Sequence, residues 1–156
     1  MLHLIPRPLH RLVLRAAHAL RQRWRRHLRL PIQGVTVFVT DLEGRLLLVR
    51  HSYGSGSWAL PGGGMRRDEK AEDAATREIA EEVGCRLEGA RVLEALEETL
   101  SGAPHTAWLV AGRTPDWPRP DRREILEARF FPTHSLPEPL TRLSRRRIEA
   151  WRGQLR

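Results

Sequence analysis

The sequence predicts an α/β fold in which a mixed β-sheet lies between helices. Segments with strand periodicity precede and follow one central helical stretch, and a second amphipathic helix closes the chain. With 156 residues, the chain is long enough for one domain with a substantial core and a short accessory segment. We place the boundary after residue 30, so that 1–30 is a basic helical segment and 31–156 is the main domain.

The segment 1–30 carries the whole charge excess of the chain. It holds eight arginines and no Asp or Glu, whereas residues 31–156 hold 19 basic and 19 acidic residues. Apolar residues recur at helical spacing between Pro8 and Arg29, which predicts an amphipathic helix. Three roles stay open: packing on the domain or on a second subunit, contact of residues 9–29 with an anionic membrane surface, and nucleic-acid binding or targeting.

Packing is the favoured role of this helix, and a homodimer is one arrangement that it would support. The main domain is neutral, so we expect no specific nucleic-acid partner for it. Cys85 is the single cysteine, which excludes an intrachain disulfide. No run reaches the roughly 18 apolar residues of a membrane span, and no signal peptide is recognisable. The expectation is a soluble cytoplasmic protein.

The first strands of the main domain form a predicted hairpin. The period of a strand runs from Val35 to Thr40, because the valines at 35, 37 and 39 alternate with Thr36, Phe38 and Thr40. A turn follows, and Arg45 to Arg50 is apolar enough to be buried on both faces. A polar loop at 51–57 then leads through Trp58 into a glycine-rich bend at 60–64. Glycines in such a bend allow the backbone to approach a ligand closely.

The central helix is predicted from Glu69 to Val83, with Gly84 as its stop signal. At about 100° per residue, Glu78, Glu81 and Glu82 fall within an arc of about 100° on one face. A glutamate-rich face is usually only solvated, but here the glycine bend immediately before the helix favours a ligand site. Crowded carboxylates repel one another unless cations neutralise them, and oxygen ligands suit Mg²⁺ or Mn²⁺.

Further strands and a second helix are predicted after the central helix. The strands are Ala90 to Glu98, His105 to Gly112 and Ile125 to Phe131, with a proline-rich loop at 113–123. The helix runs from about Thr141 to Arg152. Its predicted apolar face consists of Leu140, Leu143, Ile148 and Trp151.

The stretch from Gly63 to Cys85 fits the pattern GX5EX7REUXEEXGU, where U is an apolar residue. Cys85 at the last U position is a small departure. This segment resembles the Nudix box, and the resemblance implies a small, general Nudix hydrolase with an α/β/α sandwich fold. The fixed positions of the pattern are Gly63, Glu69, Arg77, Glu78, Glu81, Glu82 and Gly84.

The resemblance implies Mg²⁺- or Mn²⁺-dependent attack of water at phosphorus, which cleaves a phosphoanhydride bond in a nucleoside diphosphate linked to another moiety. A Nudix-fold module that binds nucleotides or regulates without significant hydrolysis is the alternative. By position, Glu81 and Glu82 resemble metal ligands, and Glu78 resembles a metal ligand or the general base. The carbonyl of Gly62 would complete the metal shell. The pair Glu69 and Arg77 resembles a structural ion pair.

Other site residues lie outside the box glutamates. Family members often supply a further glutamate from the region of Glu124 or Glu127, and Glu124 is the preferred ligand or base because it lies nearer the loop edge. His105 shows no metal-ligand spacing with another histidine. The identity of the substrate stays open. Its expected contacts are Arg50 and His51 at a strand end, Tyr53 as a ring that stacks on a base, and Gly63 and Gly64 in the bend.

Overall fold

The computed structural model describes residues 32–100 and 102–154, so the predicted N-terminal helix lies outside the described residues. The described chain is an α/β fold, as predicted, and none of its helices is both long and apolar enough to cross a membrane. The strands are β1 (Ile32–Thr40), β2 (Leu46–His51), β3 (Trp58–Ala59), β4 (Gly62–Gly64), β5 (Glu88–Leu100), β6 (Ala103–Arg113) and β7 (Ile125–Phe131); the helices are α1 (Ala71–Val83) and α2 (Arg142–Gln154).

Strand β1 is the centre of a mixed sheet with the order β3-β2-β1-β6-β5. It runs parallel to β6 over its whole length, from the pair Ile32 and His105 to the pair Thr40 and Arg113. Its other edge is shared, because β2 pairs with its end at Thr40 and β4 pairs antiparallel with its beginning at 34–36. Strand β7 pairs with β2, and β5 pairs with β6. The glycine-rich β4 therefore lies against the start of the central strand.

The two faces of the sheet bury two separate cores, one under each helix. Val37 and Val39 of β1 pack in the core that contains Ile79 of α1, whereas Phe38 packs in the core that contains Ile148 of α2. Because successive strand residues point to opposite faces, a strand buried on both sides reads as a continuous apolar run. The predicted sandwich of helix, mixed sheet and helix is confirmed.

Three local predictions differ from the structure. Helix α1 begins at Ala71 instead of Glu69, because Lys70 has an extended backbone (φ −73°, ψ 149°) and is the N-cap of the helix. Gly62–Gly64 is a short strand instead of a bend, since its backbone pairs with β1. Leu143 is 40% exposed, because the buried stripe of α2 runs through Ser144, Arg147, Ile148 and Trp151.

Candidate active site

A cavity of about 430 Å³ lies where both helices meet the start of β1 and the strand β4. Helix α1 contributes the three predicted glutamates of its face, and helix α2 contributes Leu143 and Arg147. The remaining polar or glycine positions of its wall come from strands and loops. They are Gln33, Gly34, Thr36, Tyr53, Gly62, Gly63, Gly64, Glu98, His105 and Glu124.

Glu82 lies deepest among the carboxylates of this wall. Its Oε2 accepts a hydrogen bond from the backbone N–H of Gly62 at 3.3 Å. Burial raises the pKa of Glu82 well above its usual value, and the neighbouring charge of Glu78 raises this pKa further. A carboxylate in this position is costly when ionised unless a cation compensates it.

Glu78 lies beside Glu82 on α1, and its side chain is only 14% exposed. Its Oε1 accepts a hydrogen bond from Nη1 of Arg77 at 2.7 Å. Burial raises the pKa of the Glu78 carboxyl, and the guanidinium of Arg77 partly opposes this shift. Glu81 is more exposed, at 55%, and its carboxylate lies within 3.6 Å of Arg66 and 3.4 Å of Arg77. Glu81 therefore has cationic neighbours, whereas Glu82 forms no ion pair with an arginine or lysine of the described ranges.

Arg77 joins the segment before α1 to the glutamate face through hydrogen bonds. Its Nε and Nη2 donate to the two carboxylate oxygens of Glu69 at 2.8 and 2.9 Å, which is a bidentate ion pair. Its Nη2 also donates to the carbonyl of Gly64 at 3.0 Å. The hydrogen bonds from Arg77 and from the backbone N–H of Arg66 lower the pKa of Glu69 to about 2. The predicted Glu69–Arg77 ion pair is therefore present.

Two glycines lie where β4 passes between β1 and α1, and each leaves room for a group that a side chain would displace. Gly62 has φ 150°, and a Cβ atom there would lie 2.1 Å from the carbonyl oxygen of Val35. A Cβ atom on Gly63 would lie 2.5 Å from the carboxyl carbon of Glu78. The backbone of the strand and the carboxylate of the helix thus meet with no space for a side chain between them.

Comparisons with known proteins agree with this geometry. The family model described as NUDIX domain matches residues 30–151, which is more than three quarters of the chain. The protein belongs to the Nudix family. A solved MutT NUDIX hydrolase from Burkholderia pseudomallei is 29% identical, covers 77% of this chain and 97% of that one, and superposes with a TM-score of 0.67.

Curated relatives match a shorter part of the chain. An RNA pyrophosphohydrolase from Teredinibacter turnerae is 39% identical over 59 residues, which are 38% of this chain and 34% of the relative. Diphosphoinositol polyphosphate phosphohydrolase 3-alpha from Mus musculus is 38% identical over 61 residues, which are 39% of this chain and 37% of the relative. The matched part thus spans about a third of the length of these relatives.

Of the predicted site residues outside the Nudix box, some line the cavity and others do not. Glu124 lines the cavity, and its charge raises the pKa of both Glu78 and Glu82. Tyr53 also lines it and contacts the ring of His51 at 5.0 Å between centroids. His51 itself does not line the cavity.

Arg50 and Glu127 pair with each other away from the cavity wall. Nη1 of Arg50 donates to Oε1 of Glu127 at 2.8 Å, and its Nε donates to the carbonyl of Gly56. The guanidinium also lies 5.7 Å from the ring centroid of Trp58. The structure therefore brings Glu124, and not Glu127, to the glutamate face.

The structure adds a polar group that the sequence reasoning did not find. Thr36, Glu98, His105 and Arg147 line the cavity beside the box residues. His105 had no histidine partner in the sequence, yet its Nδ1 lies 3.7 Å from Oε2 of Glu98. A signal for Arg147 was present, because this arginine falls on the apolar stripe of α2 and a charged residue in a buried stripe must find a partner.

The glutamate face fits a divalent cation by its chemistry. Within the described ranges, no three His, Cys, Asp or Glu side chains are arranged to hold a metal ion as they stand. Glu78 is bound to Arg77, and Glu82 is bound to the N–H of Gly62. If the two carboxylates turned away from Arg77 and from the N–H of Gly62, their oxygens would be available to a cation. Together with the carbonyl of Gly62 they would offer only hard oxygen donors, which Mg²⁺ and Mn²⁺ prefer.

Proposed function

We propose that this protein is a divalent-metal-dependent hydrolase that cleaves the phosphoanhydride bond of a nucleoside diphosphate linked to another moiety. Membership of the Nudix family supports the proposal. The names of the two curated relatives refer to RNA and to diphosphoinositol polyphosphate, and both describe a phosphohydrolase. These names support phosphohydrolysis as the reaction class.

The observation that carries the proposal is the charge of the cavity wall. Five glutamates line the cavity, whereas Arg147 is the sole lysine or arginine on the part of the wall that the structure describes. Arg147 is itself paired with Glu98 at 2.8 Å. A diphosphate would be repelled by such a wall unless bound cations reversed its charge.

The box residues have distinct roles in this proposal. Glu78, Glu81 and Glu82, together with the carbonyl of Gly62, would hold the cation. A bound divalent ion would neutralise phosphate oxygens and lower the pKa of a coordinated water. Arg77 would keep the start of α1 and the glycine strand in register with this face.

Glu124 is the candidate general base, because it lines the cavity without being part of the box helix. It would accept the proton of the water that attacks phosphorus. The new bond would join the water oxygen to phosphorus, the bond from that phosphorus to the bridging oxygen would break, and the bridging oxygen would leave with the second phosphate. Gly63 and Gly64 carry no side chains, so the phosphates can approach the backbone of β4.

A metal-dependence experiment tests the proposal with a matched control on the same helix. Hydrolysis of a panel of nucleoside diphosphate derivatives and of 5′-triphosphorylated RNA is measured with Mg²⁺, with Mn²⁺ and with a chelator. We expect turnover only with metal, and a loss of roughly 100- to 1,000-fold in kcat for Glu82→Gln. Glu72→Gln, which removes a carboxylate of α1 outside the cavity wall, should retain activity.

Two results would contradict the metal assignment. One is hydrolysis that survives chelation, and the other is unchanged turnover in Glu82→Gln. If no compound of the panel is hydrolysed while ligands still raise the melting temperature, the protein is a binding module instead.

A further inference from the structure

A group of side chains outside the Nudix box forms part of the cavity wall. Arg147 is only 7% exposed, and its Nη1 donates to Oγ1 of Thr36. Its Nη2 donates to Oε2 of Glu98 at 2.8 Å, and the same oxygen lies 3.7 Å from Nδ1 of His105. We call these four residues the Arg147 cluster. It connects α2 with β1, β5 and β6 at the edge of the cavity.

The Arg147 cluster adds little net charge to the cavity. The guanidinium of Arg147 is compensated by Glu98, so it is not available to a further phosphate group. Apolar side chains next to the cluster, Ile32, Leu100 and Leu143 among them, also line the cavity. A surface with this mixture suits an uncharged, flat group better than a second polyanion.

Glu98 presents an acceptor within this surface. Its side chain is 26% exposed and lines the cavity, and its Oε2 is the oxygen that Arg147 binds. The hydrogen bond from Arg147 occupies one of about four lone-pair sites of the carboxylate. An ionised carboxylate only accepts hydrogen bonds, so a ligand that offers N–H groups can bind at the remaining sites. A ligand that offers a lone pair instead is repelled.

We infer that Glu98 is a specificity-determining residue that accepts a hydrogen bond from the exocyclic amino group of a purine base, and that Arg147 is a positioning residue that holds its carboxylate. The inference rests on the proposed function, because the base is the moiety that the diphosphate carries. The glutamate face with its cation binds the phosphates, and the Arg147 cluster recognises the base, which is the uncharged end of the same substrate.

Substrate pairs that differ by one amino group test this inference directly. Guanosine and inosine diphosphate derivatives form one pair, and adenosine and purine riboside derivatives form the other. For wild type, we expect the amino-bearing member of one pair to have a kcat/KM about 10- to 100-fold higher and a correspondingly lower Kd, the range for a hydrogen bond to a charged group. The pair that shows this difference identifies the base.

The variant Glu98→Gln replaces the acceptor and removes the negative charge that faces Arg147. Its amide oxygen can still accept from Arg147, while its NH₂ group replaces the oxygen that faces the ligand. We expect the preference for the amino-bearing substrate to fall to within about threefold, because the contact to the base is lost. Ribose 5-diphosphate, which has no base, measures any effect of the substitution on the phosphate end of the site. Glu94→Gln, an exposed glutamate of the same strand, is the matched control and should retain the preference.

Arg147→Lys tests the positioning role. The lysine keeps the positive charge but cannot bridge Thr36 and Glu98 as the planar guanidinium does. We expect Arg147→Lys to raise the KM for the preferred nucleotide and to leave kcat nearly unchanged. In a protein that already carries Glu98→Gln, Arg147→Lys should not raise this KM further. A residue that only stabilises the fold would lower the melting temperature and affect both members of a substrate pair equally.

The outcomes separate this inference from the proposed function. If no diphosphate is hydrolysed but the Kd values still depend on the amino group and on Glu98, hydrolysis is wrong and the inference stands. If hydrolysis occurs but Glu98→Gln keeps the wild-type preference, or neither pair shows a preference, the inference is overturned. It is equally overturned if nucleotides bind no better than ribose 5-diphosphate, or if a ring bearing several further phosphates is the better substrate.

Discussion

The contact between Gly63 and Glu78 leads to a prediction about activity. A Cβ atom on Gly63 would lie 2.5 to 2.6 Å from the carboxyl carbon and both oxygens of Glu78, whereas ordinary contact begins near 3.4 Å. In Gly63→Ala the carboxylate must therefore retreat by about 0.9 Å. It is held by Arg77 at 2.7 Å and is only 14% exposed, so the movement also disturbs that hydrogen bond.

We expect Gly63→Ala to lower kcat about 100-fold, which is typical of a 1 Å misplacement of a catalytic group. The same overpacking should lower the free energy of unfolding by about 1–3 kcal/mol. The assay combines metal-dependent hydrolysis with urea unfolding. Gly153→Ala is the matched control, because a Cβ atom there has no atom within 4 Å and should cost neither activity nor stability.

A double-mutant cycle shows whether the clash with Glu78 is the cause. In a Glu78→Ala background the carboxylate is gone, so Gly63→Ala should no longer reduce stability. The reasoning is refuted if Gly63→Ala retains activity within about twofold of wild type. It is also refuted if the loss of stability persists at full size in the Glu78→Ala background.

Two further predictions concern stability. The pKa of Glu69 is about 2 in the folded protein, below the roughly 4.3 of an unfolded chain, so the stability it contributes is present above about pH 4.3 and is lost as the pH falls toward 2. Glu69→Gln should therefore flatten the decline of the urea midpoint in this range; a decline as steep as in wild type would contradict the assignment. Trp151 stacks on Phe38 with centroids 5.1 Å apart, so Trp151→Ala should cost about 3 kcal/mol in urea unfolding, and exposed Trp117→Ala should cost less than about 0.5 kcal/mol. Equal losses in the two variants would refute the packing argument.

The sequence predicted helices and strands correctly in segments where one spacing of apolar residues dominated. The strand Ile125–Phe131 has the predicted bounds, and the predicted hairpin is formed by β1 and β2. The end of α1 was predicted because Gly84 adopts the left-handed conformation that a helix end favours. The start of α1 was wrong by two residues, since the N-cap is Lys70, and lysine is not among the residue types that signal a helix start.

The bounds and partners of the glycine segment required the tertiary structure. A run of glycines has no side-chain periodicity, so the sequence indicated a bend and not the pairing of β4 with β1. The choice of Glu124 over Glu127 for the cavity also depends on this packing, because Glu127 turns to Arg50. Which carboxylate acts as base stays a prediction.

The sequence by itself determined the fold class and the identity of the Nudix box. It also placed three glutamates on one helix face, because helical geometry fixes which residues three and four positions apart share a face. Only the tertiary structure brought Arg147 to Thr36, which is 111 residues away, and to Glu98, which is 49 residues away. Such partners depend on how α2 packs across the sheet, and no local period encodes that packing. The glutamate face could therefore be predicted from the sequence, whereas the Arg147 cluster could not.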